Sequence, residues 1–191
     1  RYRCEGAGYY LVIGIEDYWR EEKSDGSTND AYAMYDLFKN KNNLYSRVNE
    51  PLVDGAATKD KIKEMVQDIA RVATPKDYIV IYFSGHMGRD FLLPVNVRYN
   101  DPMKYAITDA ELEDWLSPFR GHATLILEGP DSSSFANNDP LPNPQAFQKG
   151  KYTVLSSTTF SKDFEQKHHV YGDNGLFTYY LIEGLRKPRE I

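Results

Sequence analysis

Runs of apolar and β-branched residues alternate along this chain with runs whose apolar positions recur every three or four residues. Residues 9–15 (YYLVIGI) are almost continuously apolar, as expected for a strand covered on both faces. Ala31, Met34, Leu37 and Phe38 follow at helical spacing, with Asn29 placed to cap the helix. A shorter strand is predicted over 48–53, closed by the Asp54-Gly55 turn signal. Thr58 can cap a second helix whose apolar stripe is Ile62, Met65, Val66, Ile69 and Val72, and Thr74-Pro75 ends it. Residues 78–83 (YIVIYF) are the strongest central-strand candidate, and 91–95 predict a small strand or a hairpin arm. Thr108 and Glu111 form a capping box that opens a helix turning Leu112, Trp115 and Leu116 inward. Strands are then predicted at 123–127 (ATLIL) and 152–155. A closing helix over 176–185 carries Leu176, Phe177, Tyr180 and Leu181 on one face.

That alternation predicts an α/β fold built on a largely parallel sheet, in one domain. Between the last two strands, residues 129–150 are rich in Pro, Asn and Ser, and a long structureless stretch at that place is either functional or mobile. No internal repeat and no heptad pattern interrupts the reading.

Composition narrows the function classes more than it names one. The 191 residues suffice for one sizeable core, and 41% hydrophobic with 27% charged residues is an ordinary globular balance. Acids and bases are interspersed at a net charge of -5, so the basic stripe of a nucleic-acid binder is missing. No apolar run is long enough to span a bilayer. Cys4 is the only cysteine, which excludes an internal disulfide and a cysteine-rich zinc site. The chain starts on Arg1 and reaches a strand within nine residues, as an excised domain would, so no compartment is assigned. There is no phosphate-cradling Gly-rich loop, and no cofactor is expected.

Open α/β sheets collect ligands beyond the carboxyl ends of their strands. Ser84-Gly85-His86-Met87-Gly88 follows YIVIYF, and Glu128-Gly129-Pro130-Asp131-Ser132-Ser133 follows ATLIL. If those strands are neighbours, His86 and the turn after Glu128 face each other across one crevice. By position alone, His86 reads equally well as a loop histidine satisfied by solvent or a carbonyl. His168-His169 with Glu165 could suggest a metal, but adjacent histidines point apart on regular elements, and a solvated loop explains them.

These segments resemble the catalytic core of the caspase/metacaspase-type cysteine peptidases. In that family an apolar strand leads into S-G-H-G, whose histidine is the general base, and a second leads into D-x-C-x-S-G, whose cysteine is the nucleophile. Here YFSGHMG at 82–88 is similar to the first motif, with Met87 replacing the usual glycine. LILEGPDSS at 125–133 is similar to the second, with Glu128 for the aspartate, Pro130 for the cysteine, Ser132 for the serine and Ser133 for the glycine. YYLVIGI with Asn29-Asp30-Ala31, FLLPVN at 91–96, and Asn174-Gly175-Leu176-Phe177-Thr178 resemble further family segments in the correct order. The resemblance implies a three-layer α-β-α sandwich around a mostly parallel sheet of six strands. Residues 1–128 then match the large-subunit region, 129–150 the linker, and 151–191 the small-subunit region of a single domain.

The resemblance also says what has been lost. A cysteine peptidase needs a thiolate to attack the carbonyl while histidine manages protons, and proline offers neither a nucleophile nor a backbone N–H. Losing the nucleophile costs on the order of a millionfold in turnover. The oxyanion in active relatives is held by the cysteine's own N–H and one from the segment after the histidine, here Met87. Losing one such donor costs about 100- to 1,000-fold more. Ser132 or Ser133 could act as a relocated nucleophile, but a two-residue shift moves a side chain several ångströms where attack tolerates about one.

Metacaspase-type relatives place two acids in an S1 pocket that prefers Arg or Lys, and the matching residues are Asp30 and Glu128. Alternatively, Asp30 merely favours a helix N-terminus and Glu128 is an ordinary strand-end acid. The stretch from 88 to 95 carries only Asp90 where calcium-dependent members are acidic, so no metal is expected. The expectation is a catalytically inactive peptidase relative that binds a protein or peptide partner, with basic segments favoured by the pocket reading. A purely structural module, its cleft filled by its own 129–150 loop, is a further reading.

Overall fold

The computed structural model describes residues 6–19, 23–40, 47–98, 100–130, 132, 135, 151–157 and 174–186. Its centre is a six-stranded parallel sheet in which β1 (Gly8–Gly14), β4 (Tyr78–Ser84) and β8 (His122–Glu128) lie side by side. The edge beyond β1 is β2 (Arg47–Val48), with β3 (Leu52–Val53) also pairing β1, and the edge beyond β8 is β9 (Tyr152–Ser156). The residues expected to form one strand over 48–53 form two short ones. Pro51, which has no N–H to give to a ladder, sits in the break, while Asn49 donates its N–H to the Tyr10 carbonyl at 3.2 Å.

Side-chain alternation assigns the two faces. Leu11, Ile13, Ile79, Ile81, Phe83, Ala123, Leu125 and Leu127 join one buried cluster with the apolar stripes of α2 (Lys59–Val72) and α4 (Asp109–Leu116). Val12, Tyr82 and Ile126 join another with α1 (Ser27–Asn40) and α5 (Leu176–Arg186). Helices thus cover both faces, and the α/β sandwich expected from the sequence is the fold observed. Period-two alternation also sends Ser84 and Glu128 toward the α1/α5 face, since they share the parity of Tyr82 and Ile126.

The helix ends follow local chemistry. Thr58 caps α2 by accepting from the Lys61 N–H, and Thr108 with Glu111 closes the expected capping box on α4. Lys59 reaches from α2 to Glu111 at 2.8 Å and to the Ala106 carbonyl at 2.6 Å, tying the two helices of that face. Asn29 lies inside α1 rather than capping it. The helix begins at Ser27, where Ser24 and Ser27 hydroxyls pair at 2.9 Å and Asp30 donates its N–H to the Gly26 carbonyl.

A second, antiparallel sheet of β5 (Met87–Gly88), β6 (Phe91–Leu92) and β7 (Ile107–Thr108) hangs from the end of β4. The hairpin arm expected over 91–95 is therefore only its first two residues. α5 departs more from expectation: Thr178 and Ile182 are its buried residues. Leu176, Phe177, Tyr180 and Leu181 instead line, with Ser157, an open cavity of about 420 Å³, and Tyr180 is 58% exposed.

Candidate functional site

Both candidate turns leave the same edge of the sheet. Ser84 and Glu128 are opposite each other in the parallel β4–β8 register, and the Gly85 N–H donates to the Glu128 carbonyl at 3.2 Å. His86 and Pro130 each lie two residues beyond the ends of these adjacent strands, so the two turns leave the sheet side by side. The turns are close. A β-carbon on Gly129 would lie 2.5 Å from the Gly85 carbonyl oxygen and 2.7 Å from the Met87 Sδ, so only glycine fits between the two turns. Met87 is buried, and its thioether lies against Gly129, one residue from Pro130.

His86 is held from a direction the sequence did not suggest. Its backbone N–H donates to the Tyr18 hydroxyl at 2.7 Å, and that hydroxyl donates to the Leu93 carbonyl at 3.2 Å. The Tyr18 ring lies over the imidazole, with centroids 4.8 Å apart at 33°. Tyr18 follows β1 in a loop with no periodic signal, so no pattern in the sequence marks it. The loop is anchored in turn by Asp54, whose carboxylate accepts the N–H groups of Glu16 and Asp17 at 2.8 and 2.9 Å.

Ser132 is fully buried, its hydroxyl 3.4 Å from that of Ser157 at the end of β9. Ser157 also accepts the Gly129 N–H at 3.2 Å, bracing the turn that carries Pro130. Ser133, Asp131, Cys4, the pair His168-His169 and nearly all of the 129–150 segment lie outside the described residues.

Asp30 and Glu128 come together, and both are buried. Asp30 is 2% exposed and Glu128 9%. Asp30 Oδ1 accepts from the Asn174 amide at 2.9 Å and the Gly175 N–H at 2.8 Å, and Oδ2 accepts from Ser84 at 3.1 Å. Glu128 Oε2 accepts from the Tyr82 hydroxyl at 3.3 Å, from the Thr178 N–H at 3.2 Å, and from the Thr178 hydroxyl. Among the described residues, the start of α5 covers the pair. Burial first, and the Glu128 charge second, push the Asp30 carboxyl up to about 8. Burial likewise raises Glu128, against the pull of its Thr178 and Tyr82 donors. Asn174, Gly175 and Thr178 belong to the N-G-L-F-T segment, so the sequence marked their place in the chain without revealing their task.

Among the described residues, no group of three or more His, Cys, Asp or Glu side chains is placed to hold a metal ion. No helix of the described residues is long and apolar enough to cross a membrane.

A family model described as the caspase domain matches residues 7–130, well over half of the chain and ending on the proline itself. Among solved structures, protein GSU0716 from Geobacter sulfurreducens aligns with a TM-score of 0.52 and 18% identity, over 65% of this chain and 50% of that one. At that identity the likeness concerns the fold alone, and the alignment spans half the length of that structure. No curated protein matches the chain.

Proposed function

We propose, from the premise that this chain belongs to the caspase-domain family of peptidases, that it is a catalytically silent member serving as a protein-binding or regulatory domain. One observation carries the reading: the second residue beyond β8, in the turn beside that of His86, is Pro130. A proline there supplies no sulfur, no hydroxyl and no N–H for an oxyanion. The Met87 thioether packed on Gly129 narrows the same place, and whatever oxyanion support the Met87 N–H offers is half of a pair at most. On this reading residues 1–191 form a single caspase-like domain with large-subunit-like, linker and small-subunit-like regions. Pairing of β9 with β8, and shared burial of α5 with α1, support it.

The partner is a protein or peptide laid along the crevice at the carboxyl ends of β4 and β8. His86, fixed by Tyr18, supplies a hydrogen-bonding group there. Recognition of an Arg or Lys side chain by Asp30 and Glu128 requires the start of α5 to move, since both acids are engaged internally. In the rival reading, an endopeptidase using Ser132 or Ser133, the full burial of Ser132 counts against the first of the two.

Fluorogenic peptides with Arg or Lys at P1 test the proposal. We expect no turnover beyond that of His86→Ala; efficient cleavage that His86→Ala abolishes would overturn it. A serine-directed covalent probe followed by mass spectrometry separates the rival, which requires a label on Ser132 or Ser133.

A further inference from the structure

Two buried acids with no cation beside them among the described residues pose a problem that proline at position 130 does not explain. Glu128 Oε1 and Asp30 Oδ2 lie 2.0 and 3.0 Å from one point, the place of a Gly175 β-carbon, so they are within 5.0 Å of each other. Two carboxyls this close and this buried favour a state in which one of them carries a proton over a state in which both are ionised. Their other partners among the described residues are neutral: Ser84 and Tyr82 from β4, and Asn174, Gly175 and Thr178 from the start of α5. Among the described residues, the other titratable group facing them is Tyr82, whose phenol burial pushes well up. Four donors from the start of α5 and the two residues before it, two of them backbone N–H groups, suit one negative charge. A second charge in the same space is one too many.

We propose that Asp30 and Glu128 form a proton-operated latch on α5: while the pair shares a proton it holds residues 174–178, and loss of that proton releases them and uncovers the pair. With both carboxyls ionised, two like charges sit within 5.0 Å of each other at sites 2% and 9% exposed. Water is the relief available, and water reaches the pair only when the first turn of α5 lifts. The sign follows from linkage. Both carboxyls are raised, Asp30 to about 8, so the closed form binds a proton that the open form gives up. Closure is therefore strongest at low pH and weakens as pH rises through about 8. The inference stands on these contacts whether or not residue 130 is catalytically silent.

Hydrogen exchange of the Gly175 and Thr178 amides, which donate to the pair, reads the latch in the intact chain. After correction for intrinsic base catalysis, we expect their protection to fall by up to tenfold per pH unit from about pH 5 to about pH 8, where the closed form keeps a proton that the open form has lost, and to level off above that, while core amides such as Leu125 keep theirs throughout. Glu128→Gln is permanently neutral and can still donate toward Asp30, so protection in that variant should stay level to about pH 9. Asp30→Asn carries the same expectation and serves if Glu128→Gln does not fold. Level protection in the native chain, or the same fall in the neutral variants, overturns the proposal.

Discussion

Gly175 is where α5 meets the two acids, and Gly175→Ala measures how tightly they are joined. The added β-carbon would lie 2.0 Å from Glu128 Oε1, 2.7 Å from its Cδ and 3.0 Å from Asp30 Oδ2. An ordinary carbon–oxygen contact is about 3.3 Å, so something must move by roughly an ångström. Glu128 has little room, being buried and held by Tyr82 and Thr178. The start of α5 must shift instead, stretching the 2.8 and 2.9 Å bonds that Gly175 and Asn174 give to Asp30. Overpacking costs about 1–3 kcal/mol, and a bond to a charged acceptor about 1.5–3 kcal/mol. Both losses come from one movement and overlap, so the net is about 3 kcal/mol. At this chain length that lowers the midpoint of thermal unfolding by roughly 6–12 °C. Gly184→Ala is the internal control: it lies on the same helix with nothing within 4 Å of the added carbon, and should stabilise by about 0.5–1 kcal/mol. Circular-dichroism melts of both variants decide the matter. A Gly175→Ala protein as stable as Gly184→Ala would refute the packing described for α5.

Three further outcomes follow from other contacts. Partial burial pushes the Asp77 carboxyl up, but the N–H groups of Thr74 at 2.7 Å and Ala7 at 2.6 Å outweigh it and hold it below the usual range. Its contribution is therefore present near neutral pH and lost as pH falls through that lowered value, and Asp77→Asn should flatten this acid limb in urea titrations. Tyr18→Phe removes the acceptor of the His86 N–H and the donor to Leu93, costing about 1–2 kcal/mol and raising exchange at the His86 amide. Unchanged exchange there would mean that Tyr18 does not fix the turn. Pro130→Cys should restore little peptide cleavage by itself, because Met87 still packs on Gly129 and the acids remain under α5; robust turnover would show the rest of the site to be intact.

The parts of the fold legible in the sequence are those with a period. YIVIYF and ATLIL are buried on both faces, so unbroken apolar runs marked them, and Thr108 with Glu111 announced α4 through a local reciprocal bond. Adjacent placement of these strands then followed from parallel-sheet topology, bringing the His86 and Pro130 turns together. What escaped is decided by contacts between distant segments. Nothing near Tyr18 in sequence signals that its ring lies on an imidazole 68 positions later. Thr178 entered only as part of the N-G-L-F-T segment, yet it is the buried anchor because Glu128 takes its hydroxyl and N–H. The apolar stripe of α5 read from spacing turns partly outward for the same reason: the acids dictate which face docks. Asp30 and Glu128 were read either as two acids of a pocket or as ordinary acids at a helix start and a strand end. Their meeting was legible, and their closure was not, since it rests on Gly175 lacking a side chain.

The account rests on residue 130 occupying the place opposite His86 from which a nucleophile would attack. The direct measurement is the alkylation rate of the thiol introduced by Pro130→Cys, in a Cys4→Ser background, with and without His86→Ala. A thiol beside an imidazole is held partly as thiolate and reacts faster than an unperturbed one at neutral pH. We predict alkylation about tenfold faster with His86 present than in the His86→Ala variant. Equal rates in the two backgrounds would place residue 130 away from the histidine and contradict the account.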